Sequence, residues 1–209
     1  MESHHDGHAH LWERIWNPHS EVDTATRDDV ERFFRERAAR QRRPDGEFGV
    51  FAVQPILAGT ILIHQWHDAY YVGMFGWVAL TVAEINSLPP VQRALFHRYG
   101  LDRDFGVMFG PLDHEHVTTL DNFINHSCDP NLGYDAEGNV VARRDLTPGD
   151  ELFIDYGEFV VNYDEPFTCQ CGASWCRTHV TRNDWQFLAS QAERSLPPFI
   201  ARRLRAAAA

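Results

Sequence analysis

The amino-acid sequence predicts a mostly β fold of small antiparallel sheets with flanking helices. Short runs rich in β-branched and aromatic residues follow one another through the middle of the chain, and turn residues separate them. Helical patterns lie around these runs, and neither an internal repeat nor a parallel βαβ alternation occurs. These observations favour several small sheets over one large parallel sheet.

Three segments have the periodicity of a helix: Asp28 to Arg43, about Pro89 to Tyr99, and a segment that starts near Thr181. The turn residues Pro44 to Gly46 are expected to end the first helix. Ser87 is a candidate cap of the second helix, and Gly100 follows its last residue. In the third helix, Asp184 is spaced to complete a capping box with Thr181.

Five segments are predicted to be strands: Val50 to Val53, Thr60 to Ile63, Gly106 to Phe109, Val140 to Arg143 and Glu151 to Ile154. Gly, Asn, Asp and Pro cluster at two further places, Asp135 to Asn139 and Thr147 to Asp150. Both clusters have the composition of tight turns between strands.

The length and hydropathy of the chain indicate one intracellular domain with extensions. A chain of 209 residues can bury one substantial core. No stretch approaches the roughly 20 apolar residues that cross a bilayer, and the N-terminus lacks the basic start and apolar run of a secretion signal. We therefore expect a cytoplasmic or nuclear protein that does not contact a membrane.

The charge balance bears on the kind of partner. Acidic residues number 30 against 19 Lys and Arg, which gives a formal net charge of −11. Nucleic-acid binding needs basic side chains that displace counterions from phosphates, so we expect no direct contact with nucleic acid. An acidic chain suits a basic partner better.

The four cysteines have the spacing of a metal site. Cys169, Cys171 and Cys176 form a C-x-C-x4-C motif, and Cys128 lies about forty residues earlier. Cysteines two apart in an extended segment are poorly placed to bond each other, whereas three thiolates on one loop can converge on a metal. A structural Zn2+ takes four ligands, so Cys128 is expected to complete the site. The alternative is four unrelated buried thiols.

Four segments resemble the SET-domain protein lysine methyltransferases in order and spacing. Phe48 to Ile63 (FGVFAVQPILAGTILI) is similar to the family's opening strand and turn, although Glu47 stands where the family usually has its first glycine. Asn122 to Asn131 (NFINHSCDPN) resembles R-F-I-N-H-S-C-x-P-N, with Asn122 in place of the frequent arginine. Gly149 to Gly157 (GDELFIDYG) and then FTCQCGASWCR resemble the D-Y-G strand and the zinc-binding post-SET loop.

These matches run from Gly46 to Arg177, about two thirds of the chain. The resemblance implies a SET-type fold of several small sheets, in which a C-terminal segment is threaded through a loop. It also implies a division of the chain into an N-terminal tail and helix (1–44), a SET domain (45–160), a post-SET zinc loop (161–180) and a C-terminal helical extension (181–209).

For function, the resemblance implies transfer of a methyl group from S-adenosylmethionine to a lysine side chain of a protein or peptide, and the net charge favours a basic one. Tyr156 would be the catalytic residue, where the methyl donor and the lysine channel meet. The residues implied to contact the cofactor are Asn125, His126, Tyr156 and the backbone of Glu47, Phe48, Gly49 and Val50. Ile154, two residues before Tyr156, is not aromatic, so the number of methyl groups added stays open.

The resemblance also gives the zinc site a functional position. Its four ligands would be Cys128, Cys169, Cys171 and Cys176. The zinc would hold the post-SET loop over the cofactor, with Phe167 or Trp175 as packing partners. Because Cys128 follows Asn125 and His126 so closely, the metal is expected to be required for cofactor binding.

Three other functions compete with this prediction. A SET fold can bind a basic tail or the cofactor without turnover, since fold alone does not establish activity. The acceptor could also be a free amino acid or a small amine. Finally, His114 and His116 are spaced like two ligands of a cupin iron site, but no glutamate follows at the needed interval.

Overall fold

A computed structural model of the chain describes residues 32–64, 76–117, 119–163, 166–191 and 193–207. Within these ranges, twelve strands form five two- or three-stranded sheets. The strands are β1 (Ala38–Arg42), β2 (Phe48–Ala52), β3 (Ile61–Ile63), β4 (Trp77–Thr81), β5 (Leu101–Asp104), β6 (Val107–Pro111), β7 (Asn125–His126), β8 (Leu132–Tyr134), β9 (Val140–Ala142), β10 (Phe153–Ile154), β11 (Phe167–Thr168) and β12 (His179–Val180). The predicted class, small β sheets with flanking helices, is confirmed.

Short helices lie between and after these strands: α1 (Val82–Ser87), α2 (Pro90–Tyr99), α3 (Asp184–Leu188) and α4 (Pro198–Ala207). The second predicted helix is confirmed as α2, with Gly100 at its C-cap. Its N-cap is Pro89, however, and Ser87 is the last residue of α1, a helix that sequence reasoning missed. The missed signal was a capping box, in which Thr81 and Glu84 bond reciprocally.

The first predicted helix is only partly correct. Residues 32–37 are helical, but Ala38–Arg42 form β1, and residues 28–31 lie outside the described part of the chain. β1 pairs antiparallel with β2 over five residues, so the segment from Pro44 to Gly46 is a hairpin turn. The helix propensities of Ala, Arg and Gln favour a helix by only a few tenths of a kcal/mol per residue, so pairing with β2 outweighs them.

The third predicted helix begins slightly later than expected. Its N-cap is Asn183, and α3 then runs from Asp184. The Thr181 hydroxyl donates to the Asp184 carboxylate at 2.6 Å, so the two predicted capping residues do interact, but just before the helix. Pro198 is the first residue of a separate helix, α4.

All five predicted strands are present, with ends that differ by at most two residues. Most of them line the main core, where Val50, Leu62, Leu132 and Leu152 are fully buried. Burial of each such side chain contributes about 1.5–3 kcal/mol. None of the described helices has the length and apolar character that crossing a membrane requires.

Two strand pairs position the segments that the sequence singled out. β7 pairs in parallel with β10, which places Asn125 beside Phe153 and His126 beside Ile154. β11 pairs antiparallel with β12 and closes the base of the cysteine loop between them. The Asn-His segment therefore lies beside the strand that leads into the D-Y-G segment, and Cys128 links it to the cysteine loop through Cys169.

Candidate active site and metal centre

The four cysteines lie together, as their spacing predicted. Their four Sγ atoms all lie within 4.8 Å of one another, and Cys128 Sγ is 3.9 Å from Cys169 Sγ. No disulfide joins any of them. A tetrahedral zinc with Zn–S bonds of about 2.3 Å places its sulfurs roughly 3.8 Å apart, so the cluster fits this ion in both donor type and spacing.

Backbone N–H groups prepare three of these sulfurs for metal binding. Cys169 Sγ, Cys128 Sγ and Cys176 Sγ each accept from an amide at 3.4 Å, from Cys171, Arg177 and Thr178 respectively. Such donors stabilise thiolates, the form that binds zinc. Burial opposes ionisation of Cys171, but hydrogen bonds from backbone and neighbouring thiols lower the pKa of Cys171 to about 6. Burial raises the pKa of Cys128 and of Cys169.

His126 connects this metal centre to Tyr156. Its Nδ1 accepts a hydrogen bond from the Tyr156 backbone N–H at 3.1 Å, and its Nε2 lies 3.5 Å from Cys128 Sγ. Because Nδ1 acts as an acceptor, the ring proton belongs on Nε2, directed at the sulfur. Burial lowers the pKa of His126 to about 4 despite the opposing charge of Asp155, so the imidazole is neutral at physiological pH.

Tyr156 is fixed at both ends. Its backbone is held by His126, and its hydroxyl donates to the Ile124 carbonyl oxygen at 2.8 Å. Its ring packs against those of His126, Phe159 and Phe167, with centroids 5.4–5.9 Å away. Burial raises the pKa of Tyr156 to about 12, so the phenol stays protonated and acts as a donor.

Asn125 ties β7 to the opening strand. Its Nδ2 donates to the Phe48 carbonyl oxygen at 2.9 Å and to Glu151 Oε1 at 3.0 Å. A Cβ on Gly49 would overlap Glu151 Oε1 and lie 3.2 Å from Asn125 Nδ2. A side chain at this position would therefore displace the Glu151 carboxylate, which accepts from Asn125.

The other residues of the opening strand point in different directions. The Glu47 side chain is exposed and pairs with Arg98 at 3.3 Å. The Phe48 ring packs edge-on against Phe123, while the Val50 side chain is in the core. In this segment, the Phe48 carbonyl oxygen and Gly49 lie next to Asn125.

The two aromatic residues of the cysteine loop differ in exposure. Phe167 contacts the rings of His126 and Tyr156, with centroids 5.3 and 5.9 Å away. Trp175 is 62% exposed, and its indole N–H donates to the Cys128 carbonyl oxygen at 3.3 Å. Trp175 thus presents a large ring to solvent next to the metal centre.

A buried ionic cluster beneath Tyr156 escaped the sequence analysis. Asp155 binds both Nη atoms of Arg177, at 2.7 and 2.5 Å, while Glu158 pairs with Arg143 and with Arg194. Burial opposes ionisation of Asp155, but the hydrogen bond and charge of Arg177 hold its pKa below the usual range. Burial raises the pKa of Glu158, although the charges of Arg143 and Arg194 oppose this shift. The partners are 15–39 residues apart in sequence, so no local pattern marks them.

Comparison with known proteins places the chain in a family. The family model described as SET domain matches residues 47–157, more than half of the chain. The chain belongs to the SET-domain family. The predicted resemblance is thereby confirmed, and the matched range contains Tyr156, Asn125, His126 and Cys128 of the site described above.

Several curated proteins are similar to this SET-domain chain. Two from Drosophila melanogaster are 28% identical to it: Histone-lysine N-methyltransferase SETD1 (63% of this chain, 8% of the relative) and Histone-lysine N-methyltransferase ash1 (64% and 6%). The Probable histone-lysine N-methyltransferase set-23 of Caenorhabditis elegans is 34% identical over 70 residues (29% and 28%). The chain thus spans less than a third of the length of each of these relatives.

Solved structures are also similar to the chain. One is KRYPTONITE in complex with mCHH DNA, an H3(1-15) peptide and SAH, with 20% identity and a TM-score of 0.44 over 68% of this chain and 29% of the other. A second, KRYPTONITE with mCHG DNA and SAH, has 21% identity and a TM-score of 0.42 over 66% and 28%.

Proposed function

We propose that this SET-domain protein transfers methyl groups from S-adenosylmethionine to lysine side chains of a protein substrate. One observation carries the proposal: the protonated Tyr156 hydroxyl is fixed on the Ile124 carbonyl, directly beside the Asn125-His126 strand. An aromatic, largely dry surface next to a fixed phenol suits a reaction that depends on alignment rather than on acid–base chemistry.

The acceptor must reach this surface as a neutral amine. A free lysine has a pKa of about 10.4, so deprotonation at pH 7 costs roughly 4–5 kcal/mol. The packed rings of Tyr156, Phe159 and Phe167 would exclude water from an amine placed beside them, and this desolvation would lower the lysine pKa. The bound cofactor supplies the methyl group and a positive charge that acts in the same direction. The Tyr156 hydroxyl and the Ile124 carbonyl then orient the amine.

The cofactor is proposed to lie along the opening strand. Asn125, His126 and Tyr156 would hold it, together with the backbone from Glu47 to Val50. Gly49 supports this role, because a side chain there would close the approach to Asn125. Glu47 and Phe48 would contribute only backbone, since their side chains interact with Arg98 and Phe123 elsewhere.

The zinc loop is proposed to cover the cofactor position next to Tyr156. Zinc on Cys128, Cys169, Cys171 and Cys176 would fix Phe167 against Tyr156 and keep Trp175 beside the cofactor position. The proposed division therefore keeps residues 45–160 as the SET domain, 161–180 as the zinc loop, and 1–44 and 181–209 as extensions.

A basic protein or peptide is the proposed substrate. The net charge of −11 favours such a partner and disfavours nucleic acid, although direct contact with nucleic acid stays open to test. Four unbridged cysteines and the named histone methyltransferase relatives support action inside the cell, in the nucleus or the cytoplasm. The histone-lysine names belong to the relatives, so a free amino acid or small amine is the second candidate acceptor.

Incubation with labelled S-adenosylmethionine tests the proposal. Core histones, other basic proteins, free lysine and small amines would be offered in parallel, with Tyr156→Phe as the variant. Loss of the hydroxyl should lower kcat by roughly 5–13-fold, the factor that corresponds to one positioning hydrogen bond of about 1–1.5 kcal/mol. Tyr99→Phe is the matched control, since the Tyr99 ring packs on His114 and Phe123 instead.

The possible results separate the candidate functions. Label on protein lysine that forms more slowly in Tyr156→Phe, but not in Tyr99→Phe, supports the proposal. Label on free lysine or a small amine alone supports the second acceptor class. Cofactor binding without transfer to any acceptor identifies a binding module, and the absence of cofactor binding excludes the enzyme class.

A further inference from the structure

Beyond the resemblance, the C-terminal extension contributes a buried arginine to the turn that carries Tyr156. The geometry points to Arg194 as a positioning residue, which holds Tyr156 in place by joining the two carboxylates that flank it. This inference rests on the proposed function, because it assigns a role in the same active site.

Arg194 is the described cation that contacts both flanking carboxylates. Its Nη1 lies 3.0 Å from Asp155 Oδ2 and 2.6 Å from Glu158 Oε1. Both carboxylate side chains are completely buried, and the Arg194 side chain is only 9% exposed. One guanidinium nitrogen therefore spans the short 3-10 turn Tyr156–Glu158, from the residue before Tyr156 to the second residue after it.

The other two arginines of the cluster each hold one of the two flanking carboxylates, and Arg177 also pairs with Asp184 at 2.9 Å. Arg177, at the end of the cysteine loop, binds Asp155, whereas Arg143, just after β9, binds Glu158 at 2.5 Å. Loss of Arg194 would leave each carboxylate with one arginine, so the fold can persist. The distance between the two carboxylates would no longer be fixed, and Tyr156 lies between them.

The orientation of Arg194 is itself set locally. Its Nε donates to Gln191 Oε1 at 2.8 Å, within the same C-terminal segment. The segment approaches the turn closely, since a Cβ on Gly157 would lie 2.7 Å from Asp184 Cβ and 3.1 Å from Leu188 Cδ1. The extension is thus packed directly against the turn whose position it would control.

The positioning role predicts a specific kinetic effect. Within the described part of the chain, the hydrogen bonds and ion pairs of Arg194 go to Gln191, Asp155 and Glu158 and not to Asn125 or the opening strand. Its removal should therefore misplace the Tyr156 hydroxyl, whereas the proposed cofactor contacts of Asn125 and of the backbone from Glu47 to Val50 stay in place. We expect Arg194→Ala to lower kcat at least tenfold, with the KM for S-adenosylmethionine within about threefold of the original value.

The experiment compares Arg194→Ala and Arg194→Lys with two controls, using labelled S-adenosylmethionine and core histones. Ile85→Ala lowers stability in a separate core cluster, and Arg202→Ala removes an exposed arginine of α4. Added guanidinium should partly restore kcat in Arg194→Ala only. Hydrogen exchange should accelerate in residues 155–160 of Arg194→Ala and remain unchanged in β4 and β6.

Several outcomes would overturn the inference. They are an unchanged kcat in both Arg194 variants, a kcat loss that Ile85→Ala reproduces at equal loss of melting temperature, or unchanged exchange in residues 155–160. If Arg194→Ala does not fold, Arg194→Lys decides alone, and a kcat equal to that of the original protein overturns the inference. If the original protein transfers no methyl group to core histones or to any other acceptor offered above, the proposed function fails, and the exchange measurement still decides whether Arg194 positions the turn.

Discussion

His126 lies between Cys128 and Tyr156 and contacts both, with its Nδ1 3.1 Å from the Tyr156 backbone nitrogen and its Nε2 3.5 Å from Cys128 Sγ. A single buried imidazole therefore links a metal-binding thiol to the proposed catalytic tyrosine. Groups that hydrogen-bond to a metal ligand commonly control both the orientation of that ligand and the activity of the site.

Replacement of His126 tests this link. We expect His126→Ala to lower turnover by about 10–100-fold, because the Tyr156 backbone loses its acceptor. All four thiols remain, so the zinc content should stay near one per chain. Turnover and metal analysis of the same preparation provide the measurement, with His114→Ala as a control on the 3-10 turn His114–His116. Normal turnover in His126→Ala would show that the imidazole is only a packing group.

Zinc removal is expected to abolish cofactor binding and turnover together. A structural zinc contributes roughly 10–16 kcal/mol to the folding of its loop, and that loop carries Phe167 and Trp175. A chelator strong enough to strip the ion should expose four titratable thiols and make the loop sensitive to protease. Re-addition of zinc, but not of magnesium, should reverse these changes.

Loss of one ligand should reproduce part of this effect. Cys171→Ser is expected to lower the zinc content below one per chain and to loosen the same loop. Cofactor binding that persists in metal-free protein would contradict this prediction, because it would show that the zinc is not required for the active site.

The sequence predicted local structure where the signal is local. Proline and glycine mark the ends of α2, and turn residues separate the predicted strands, so these elements were placed within two residues. The prediction of a helix at β1 was wrong because Ala, Arg and Gln are good helix formers. The partner strand that makes this segment a strand lies ten residues further along the chain. Strand pairing depends on a distant segment, which a local propensity does not contain.

The candidate site could be predicted only in part, for the same physical reason. The cysteines could be grouped because zinc needs four ligands and the chain has four cysteines. No such rule identifies the partners of Asp155 from the sequence. The chain has 19 Lys and Arg that could pair with it, and most such residues in proteins are exposed. Arg194 could be found only once the fold had brought it to the turn.

Gly133 makes room for one arm of the buried ionic cluster. A Cβ at this position would overlap the Arg143 guanidinium, which pairs with Glu158. We expect Gly133→Ala to displace Arg143 and to lower the free energy of unfolding by about 1–3 kcal/mol.

A double-mutant cycle identifies the cause of this loss. Arg143→Ala should cost much less in the Gly133→Ala background than in the original chain, because the ion pair is already broken. Urea unfolding of the four proteins gives the coupling energy, expected to exceed about 1 kcal/mol. Additive effects would mean that Arg143 stays in place and that the alanine strains β8 instead.

Asp102 should make stability depend on pH. Its Oδ2 accepts from the backbone N–H groups of Val161 and Asn162, and so joins β5 to the segment that follows Tyr156. Burial raises the pKa of Asp102 from 3.8 to about 6, although these hydrogen bonds and Arg103 oppose the shift. The folded protein then holds this proton more tightly than the unfolded chain. Stability from this group is therefore greatest below about pH 4 and falls as the pH rises to about 6, by roughly 3 kcal/mol in total.

Asp102→Asn isolates that contribution, because an amide oxygen can accept the same backbone hydrogen bonds but does not titrate. Urea unfolding of both proteins from pH 4 to pH 8 gives the difference in their free energies of unfolding. As the pH rises from about 4 to 6, the original protein should lose stability relative to Asp102→Asn, and above that range the difference should be constant. A difference that does not change with pH would mean that Asp102 ionises at its ordinary pKa in the folded protein. In that case the segment after Tyr156 would be held by an ordinary carboxylate, with no stability lost to its burial.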